Sequence, residues 1–302
     1  MPALQTLLSK GRREVLPAGT TSYLFDLFHL PVEAERDRPA AAVTALGDDL
    51  DASSGWWLHA DPVHLVADCD QLYLSASNAL GVTRSEADEL VAEFNRLYAE
   101  DGWQFLVATP QRWYLRLPQS LVMRTTPTAE AMGHRVREVL PQGEQALVFQ
   151  RAMTEMQMLL HASQVNVRRT EQGQLMVNSL WFWGGGELPV ATNVSAWSRV
   201  VADDPLARGL ARLHGVEVDT PASASLGLVA EQSRLLWQTT VESLELSEQA
   251  LFAPLLAMLR AGELAELVIA LPGLGCWYID RAALRRWWCR RKPLCLMLQG
   301  GE

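Results

Sequence analysis

The sequence predicts an α/β fold, a mixed sheet with β-hairpins and with helices on its faces. Two observations carry that reading. Short apolar runs come in pairs around turn residues at 63–74, 104–117 and 264–279, which is the pattern of hairpins. Apolar residues three and four positions apart recur in the stretches before and between those pairs, which is the pattern of helices. The 302-residue chain reads as a single unit, divisible into an N-terminal lobe, 1–125, and a C-terminal lobe, 126–302.

In chain order, a short helix is expected over 4–13, followed by an apolar run, 23–30, of strand or helix length. The charged, Pro- and Ala-rich segment 33–47 reads as a linker. Val63-His64-Leu65-Val66 and Leu72-Tyr73-Leu74 form a hairpin around Asp68-Cys69-Asp70. The next helix has Thr83 or Ser85 as its cap and Glu86 and Asp88 in its first turn, where the helix dipole favours negative charge. Its buried stripe is Leu90, Val91, Phe94, Leu97 and Tyr98, and it stops at Asp101-Gly102. Strands at 104–108 and 113–117 follow, then helices at 129–140 and 145–162. The second of these sets Leu147, Met153, Met156 and Leu160 opposite a polar stripe of Gln150, Thr154, Gln157, His161 and Gln164. A strand is expected around 178–189, and a helix over 205–214 ends at Gly215, a left-handed cap. A helix capped by Ser247 leads into strands at 264–271 and 276–279. That last unit echoes the one at 83–117, as either a diverged duplication or two independent helix–hairpin units would.

Composition narrows the functional classes. Apolar residues make up 49% and charged residues 20% of the chain, which is globular rather than disordered composition. A balance of 26 basic to 35 acidic side chains, net −9, repels polyanions from the molecule as a whole. Cys69, Cys276, Cys289 and Cys295 form no CxxC pair, which suits reduced thiols in a cytoplasm better than a disulfide scaffold. The first residues hold no signal-peptide core, and no run approaches the ~20 apolar residues of a membrane span. The expectation is a soluble cytoplasmic protein with no membrane partner.

The most distinctive segment runs from 155 to 189. It contains Ser163-Gln164-Val165-Asn166, Arg168-Arg169 and Asn178-Ser179-Leu180-Trp181-Phe182-Trp183-Gly184-Gly185-Gly186. Physically this is a strand running into a glycine turn. Glycines let backbone bend or approach a ligand closely, so the N–H groups of Gly184, Gly185 and Gly186 are candidates for an anion nest. Asn166, Arg169 and Asn178 supply donors suited to phosphate or carboxylate. The competing reading is a buried strand and tight loop with Arg169 on the surface.

These residues resemble the RpfE-type regulatory protein family of proteobacteria, which is phosphoglycerate-mutase-like. They are similar to the stretch of archaeal-type cofactor-independent phosphoglycerate mutases that reads His-Pro-x-Asn-x-x-Arg and then Ala-Asn-x-x-Trp-x-Trp-Gly-x-Gly. The mutase likeness covers about 35 residues, and the RpfE-type likeness extends more loosely along the chain. The resemblance implies a reduced alkaline-phosphatase or phosphoglycerate-mutase scaffold. It also brings a RecJ-type single-strand exonuclease, whose gene lies near those of the family, as candidate partner, with DNA repair as the setting. The mutases carry two metals and a serine nucleophile after an Asp-Gly-x-Gly-Asp stretch. Here Ser163-Gln164 stands in place of His-Pro, and Leu46-Gly47-Asp48-Asp49 is the nearest approach to that stretch.

Two further clusters carry potential chemistry. His59, Asp61 and His64 lie within six residues and are candidate ligands for one divalent ion; the favoured alternative is a loop leading into a strand, with Asp61 on backbone donors. At the other end, Arg281, Arg285, Arg286, Arg290, Arg291 and Lys292 are interleaved with Leu284, Trp287 and Trp288, which share one face of an expected helix. Such a helix grips phosphates and stacks bases, docks on its own domain, or contacts a protein through Arg281, Arg285, Trp287 and Trp288. The sequence therefore favours a non-catalytic regulatory or adaptor protein without cofactor, bound to a protein partner, with direct nucleic-acid binding weak or absent. The alternative is a metal-dependent phosphomutase or phosphatase acting on small phosphate esters.

Overall fold

The computed structural model describes residues 1–16, 19–30, 36–68, 71–75, 80–191, 195–224, 234–238, 248–289 and 292–294. Cys69, Asp70, Ser247, Arg290, Arg291 and Cys295 lie outside the described residues. The chain forms two compact units: residues 29–193 make one, and 1–28 together with 194–302 make the other. Residue 125 falls inside the first of these. No helix among the described residues is long and apolar enough to cross a membrane.

The two-segment unit begins with helix α1, Pro2–Lys10. Gly11 ends it, and Arg12–Glu14 then forms strand β1, so the expected helix 4–13 is cut short. Helix α2, Thr20–Leu27, follows.

In the continuous unit, Ala40–Gly47 forms helix α3. The expected linker therefore holds a buried helix, whose small side chains let it lie close to its neighbours. Strand β2, Trp56–Asp68, pairs antiparallel with three others: β3, Gln71–Ser75; β5, Arg112–Leu117; and β6, Ser179–Gly186. Strand β4, Gln104–Thr109, completes a five-stranded sheet by pairing with β5. Both expected hairpins are present. Helix α4, Arg84–Leu97, starts at Thr83, where a full capping box links the Thr83 and Glu86 side chains with each other's backbone N–H groups.

In place of one helix over 129–140 there are two single turns, α5, Thr128–Ala131, and α6, Val136–Val139. Gly133 between them takes φ +80°, outside the helical region. Helix α7, Ala146–Ala162, buries Met153, Met156 and Leu160 as expected but leaves Leu147 exposed. Helix α8, Gln164–Glu171, starts a new direction at Ser163, whose hydroxyl caps Val165 N–H. Strand β6 packs on α7 through a Phe149–Phe182 edge contact at 5.5 Å. Its glycine end meets α3, so the strand is covered on both faces and reads as an unbroken apolar run.

Back in the two-segment unit come strand β7, Arg199–Val201, helix α9, Pro205–Leu213, and strands β8, Glu217–Asp219, and β9, Leu235–Trp237. These strands form a small parallel sheet ordered β8-β7-β9. A π-helical turn at Glu248–Phe252 continues into helix α10, Ala253–Ala261. Strands β10, Glu266–Leu271, and β11, Gly275–Asp280, form the third hairpin, extended by β1 on the far side of β11. The basic C-terminal helix is only one turn long, α11, Arg281–Leu284. Hairpins and helices alternating along the chain, with antiparallel and parallel sheets, make the architecture mixed α/β.

Candidate functional site

Strand register builds a polar and aromatic ladder in the continuous unit. His59 stands opposite Tyr114 on β5 and opposite Trp183 on β6. Directly opposed side chains on paired strands touch. The His59 ring stacks on Trp183 at 4.1 Å and lies 5.0 Å from Tyr114. Asp61, two residues along the same strand, accepts from Trp183 Nε1 at 2.7 Å and from Thr128 Oγ1 at 2.6 Å. At the other end of the ladder, Asp48, just past α3, receives the Tyr114 hydroxyl at 2.7 Å and a two-pronged contact from Arg112 at 2.6 and 2.7 Å.

Burial sets the ionisation here. It pushes the Asp61 carboxyl up to about 6, against the bonds from Thr128 and Trp183. It also pulls His59 down to about 3, with the nearby Arg112 charge adding to the effect. His59 is therefore neutral near pH 7, and neither of its ring nitrogens has a hydrogen-bond partner among the described residues.

The three candidate metal ligands do not converge. Asp61 is engaged with two donors, while His64 Nδ1 lies 2.8 Å from the Met176 carbonyl. Among the described residues no group of three or more His, Cys, Asp and Glu side chains could hold a metal ion. The described residues do not fit the two-metal centre that the resemblance implies.

The candidate anion site has its donors directed inward. Gly184 N–H donates to Thr125 Oγ1 at 2.9 Å and Gly185 N–H to Asp37 Oδ2 at 3.3 Å. The carboxylate beside the glycine turn is thus the protein's own Asp37, which also accepts from Thr125 N at 2.9 Å. The glycines themselves answer to packing. Gly184 has φ +69°, and a Cβ on Gly185 would stand 2.3 Å from the buried Trp56 ring. On Gly186 it would stand 2.5 Å from Pro39.

Asn166 and Arg169 likewise direct their bonds to groups of the protein itself. The Asn166 amide donates to the Leu160 and Val177 carbonyls, both at 2.7 Å, and its oxygen accepts from Val177 N at 2.9 Å. Arg169 has no exposed surface, which corrects the expectation of a surface residue. It donates to the Leu175 carbonyl at 2.8 Å, to the Leu80 carbonyl, and to Glu86 at 2.9 Å. Asn178 clamps both backbone groups of Leu65, at 2.7 and 2.9 Å. Ser163, where the mutases have His, caps α8 and donates to Glu93 at 3.2 Å.

No family model matches the chain. A 2,3-bisphosphoglycerate-independent phosphoglycerate mutase of Methanosarcina barkeri is 34% identical over 113 residues, 37% of this chain and 28% of that protein. A probable enzyme of the same name from Geobacter sulfurreducens is 25% identical over 161 residues, 52% of this chain and 40% of that one. The chain carries a phosphoglycerate-mutase-like segment. It matches well under half the length of these curated relatives. Among solved structures, a cofactor-independent phosphoglycerate mutase of Thermoplasma acidophilum aligns over all of this chain and 87% of its own, at 16% identity and a TM-score of 0.45.

The ladder gives a pH-dependent prediction. The folded state holds the Asp61 proton more tightly than the unfolded chain, whose carboxyl titrates near 3.8. Its contribution to stability is complete below pH 3.8 and is lost as pH rises through about 6. Asp61→Asn removes that loss while keeping an acceptor for Thr128 and Trp183. Relative to the parent chain, the variant should therefore gain stability as pH rises across this window and stay level above it. Denaturant midpoints on either side of the window check this; a pH-independent difference would count against it.

Asp37, Asp48, Arg112, Tyr114, Thr125 and Thr128 were missed from sequence. Only Arg112 and Tyr114 carry a signal in the sequence, their period-two spacing, which names a face but not partners.

Proposed function

We propose that this chain is a non-catalytic regulatory or adaptor protein of the cytoplasm that acts through a protein partner. The observation that carries the reading is where Asn166, Arg169, Asn178 and the Gly184 and Gly185 N–H groups direct their bonds. Every one meets an acceptor or donor of the protein itself. A segment similar to an enzyme's is here used as framework. The contact surface in this reading is Arg281, Arg285, Trp287 and Trp288, because exposed tryptophan and arginine are the residue types most enriched in interface hot spots. The RpfE-type resemblance makes a RecJ-type single-strand exonuclease, in DNA repair, the candidate partner.

Cross-linking of the full chain in its native cells, followed by mass spectrometry, tests this. A partner recovered with the parent chain should fall by about tenfold or more with the Trp287→Ala/Trp288→Ala variant. Equal recovery from both would remove these residues from the reading.

One observation favours the second reading, a metal-dependent phosphomutase or phosphatase on small phosphate esters. Asp61 is a buried carboxyl shifted to about 6, and such shifts gather at catalytic sites as well as in structural networks.

A further inference from the structure

Trp287 and Trp288 are 85% and 64% exposed, with their rings 5.9 Å apart and 85° to one another. The turn that presents them is fastened from beneath. The Lys10 ammonium donates to the Arg286 carbonyl, the Arg286 guanidinium to the Lys10 carbonyl at 3.4 Å, and Lys292 N–H to Ser9 Oγ at 3.0 Å. Leu284 and Leu294 pack on the buried cluster that holds Leu7, Leu259 and Trp277. The indoles are thus held outward by a turn that Ala283, Leu284 and Leu294 anchor to the core. Holding an anchor in place before binding lowers the ordering cost of association.

Geometry and charge together define what fits there. Two exposed rings at right angles offer apolar surface on which one aromatic or branched side chain can pack. A run of stacked bases instead needs ring faces spaced along a strand. Arg285, two residues before Trp287, and Arg281, one helical turn earlier, are exposed, and their guanidinium groups make no hydrogen bond or ion pair among the described residues. The nearest carboxylate in sequence, Asp280, caps α11 by accepting from Ala283 N at 2.6 Å. A polyanion of nucleic-acid length would meet those cations and also the −9 net charge of the chain, whereas a short acidic segment meets only the local field.

We infer that this corner binds an acidic peptide segment of the partner, its apolar anchor packed against Trp287 and Trp288 and its carboxylates on Arg285 and Arg281. The inference rests on the partner-protein reading above and names the chemistry of that partner.

Fluorescence anisotropy with the full chain tests it. The probe is a short fluorescein-labelled peptide of aspartates carrying one phenylalanine, run beside its Phe-to-Ala counterpart and a labelled oligothymidylate. The parent chain should bind the first peptide saturably and more tightly than either control. Trp287→Ala/Trp288→Ala and, separately, Arg285→Glu should each weaken binding about tenfold or more, with melting curves unchanged because all three side chains lie on the surface. Absence of saturable binding, tighter binding of oligothymidylate, or unchanged affinity in both variants would each overturn the inference. If the peptide fails while the cross-linked partner is still lost from the tryptophan variant, the partner reading stands and only its acidic-peptide form falls. If both fail, the partner reading falls with it.

Discussion

Arg169→Ala should lower the melting temperature by about 10 °C or more, without any loss of phosphate or phosphoglycerate binding relative to the parent chain. Arg169 is fully buried and ties together three parts of the continuous unit: the Leu80 carbonyl before α4, Glu86 in that helix, and the Leu175 carbonyl before β6. Deleting one member of a buried ion pair typically costs ~3–5 kcal/mol; here the Leu80 and Leu175 carbonyls lose their donor and Glu86 loses its counter-charge, keeping only Thr83. A transition in a unit of this size moves ~2–4 °C per kcal/mol. Thermal melting followed by circular dichroism reads the shift, and isothermal titration with inorganic phosphate reads the binding. A variant with unchanged melting that lost a phosphate affinity present in the parent would make Arg169 a ligand residue.

Trp181→Ala should be about as damaging. The indole is 1% exposed and its Nε1 donates to the Thr126 carbonyl at 2.8 Å. Removing a core tryptophan costs ~3–5 kcal/mol, against a total stability of ~5–15 kcal/mol for a typical domain. The orphaned carbonyl adds to that. The expected result is a denaturant midpoint far below that of the parent, or a chain that fails to accumulate folded. A midpoint within experimental scatter of the parent would contradict the packing described for β6.

The elements legible in the sequence were those defined by local chemistry. Thr83 and Glu86 announce the start of α4 because both halves of a capping box lie within four residues. The hairpins at 63–74, 104–117 and 264–279 were visible because alternation and turn residues are themselves local. Segment 33–47 reads as a linker because alanine and proline look the same in a linker as in a helix chosen for close approach. Only the partner explains the choice: Pro39 and Ala40 lie where Cβ atoms on Gly186 and Gly184 would fall, at 2.5 and 3.0 Å. The C-terminal helix was over-extended because charge and tryptophan spacing said nothing about the fastening of Arg286 to Lys10. The candidate site was legible as a list of residues but not as an arrangement. His59, Asp61 and Trp183 were all named, yet their meeting depends on the pairing of β2 with β6, strands more than a hundred residues apart. The inward bonds of Asn166 and Arg169 likewise end on carbonyls that no spacing rule identifies.

In the function proposed above, the phosphoglycerate-mutase-like segment serves as framework rather than as catalytic machinery. An assay of the full chain for interconversion of phosphoglycerates and for release of phosphate from simple esters, with manganese or zinc added and the metal content of the protein measured alongside, tests it most directly. No turnover above the protein-free blank is expected at any metal concentration. Metal-dependent turnover that disappears in Asp61→Ala or His64→Ala, with both variants still folded, would contradict it.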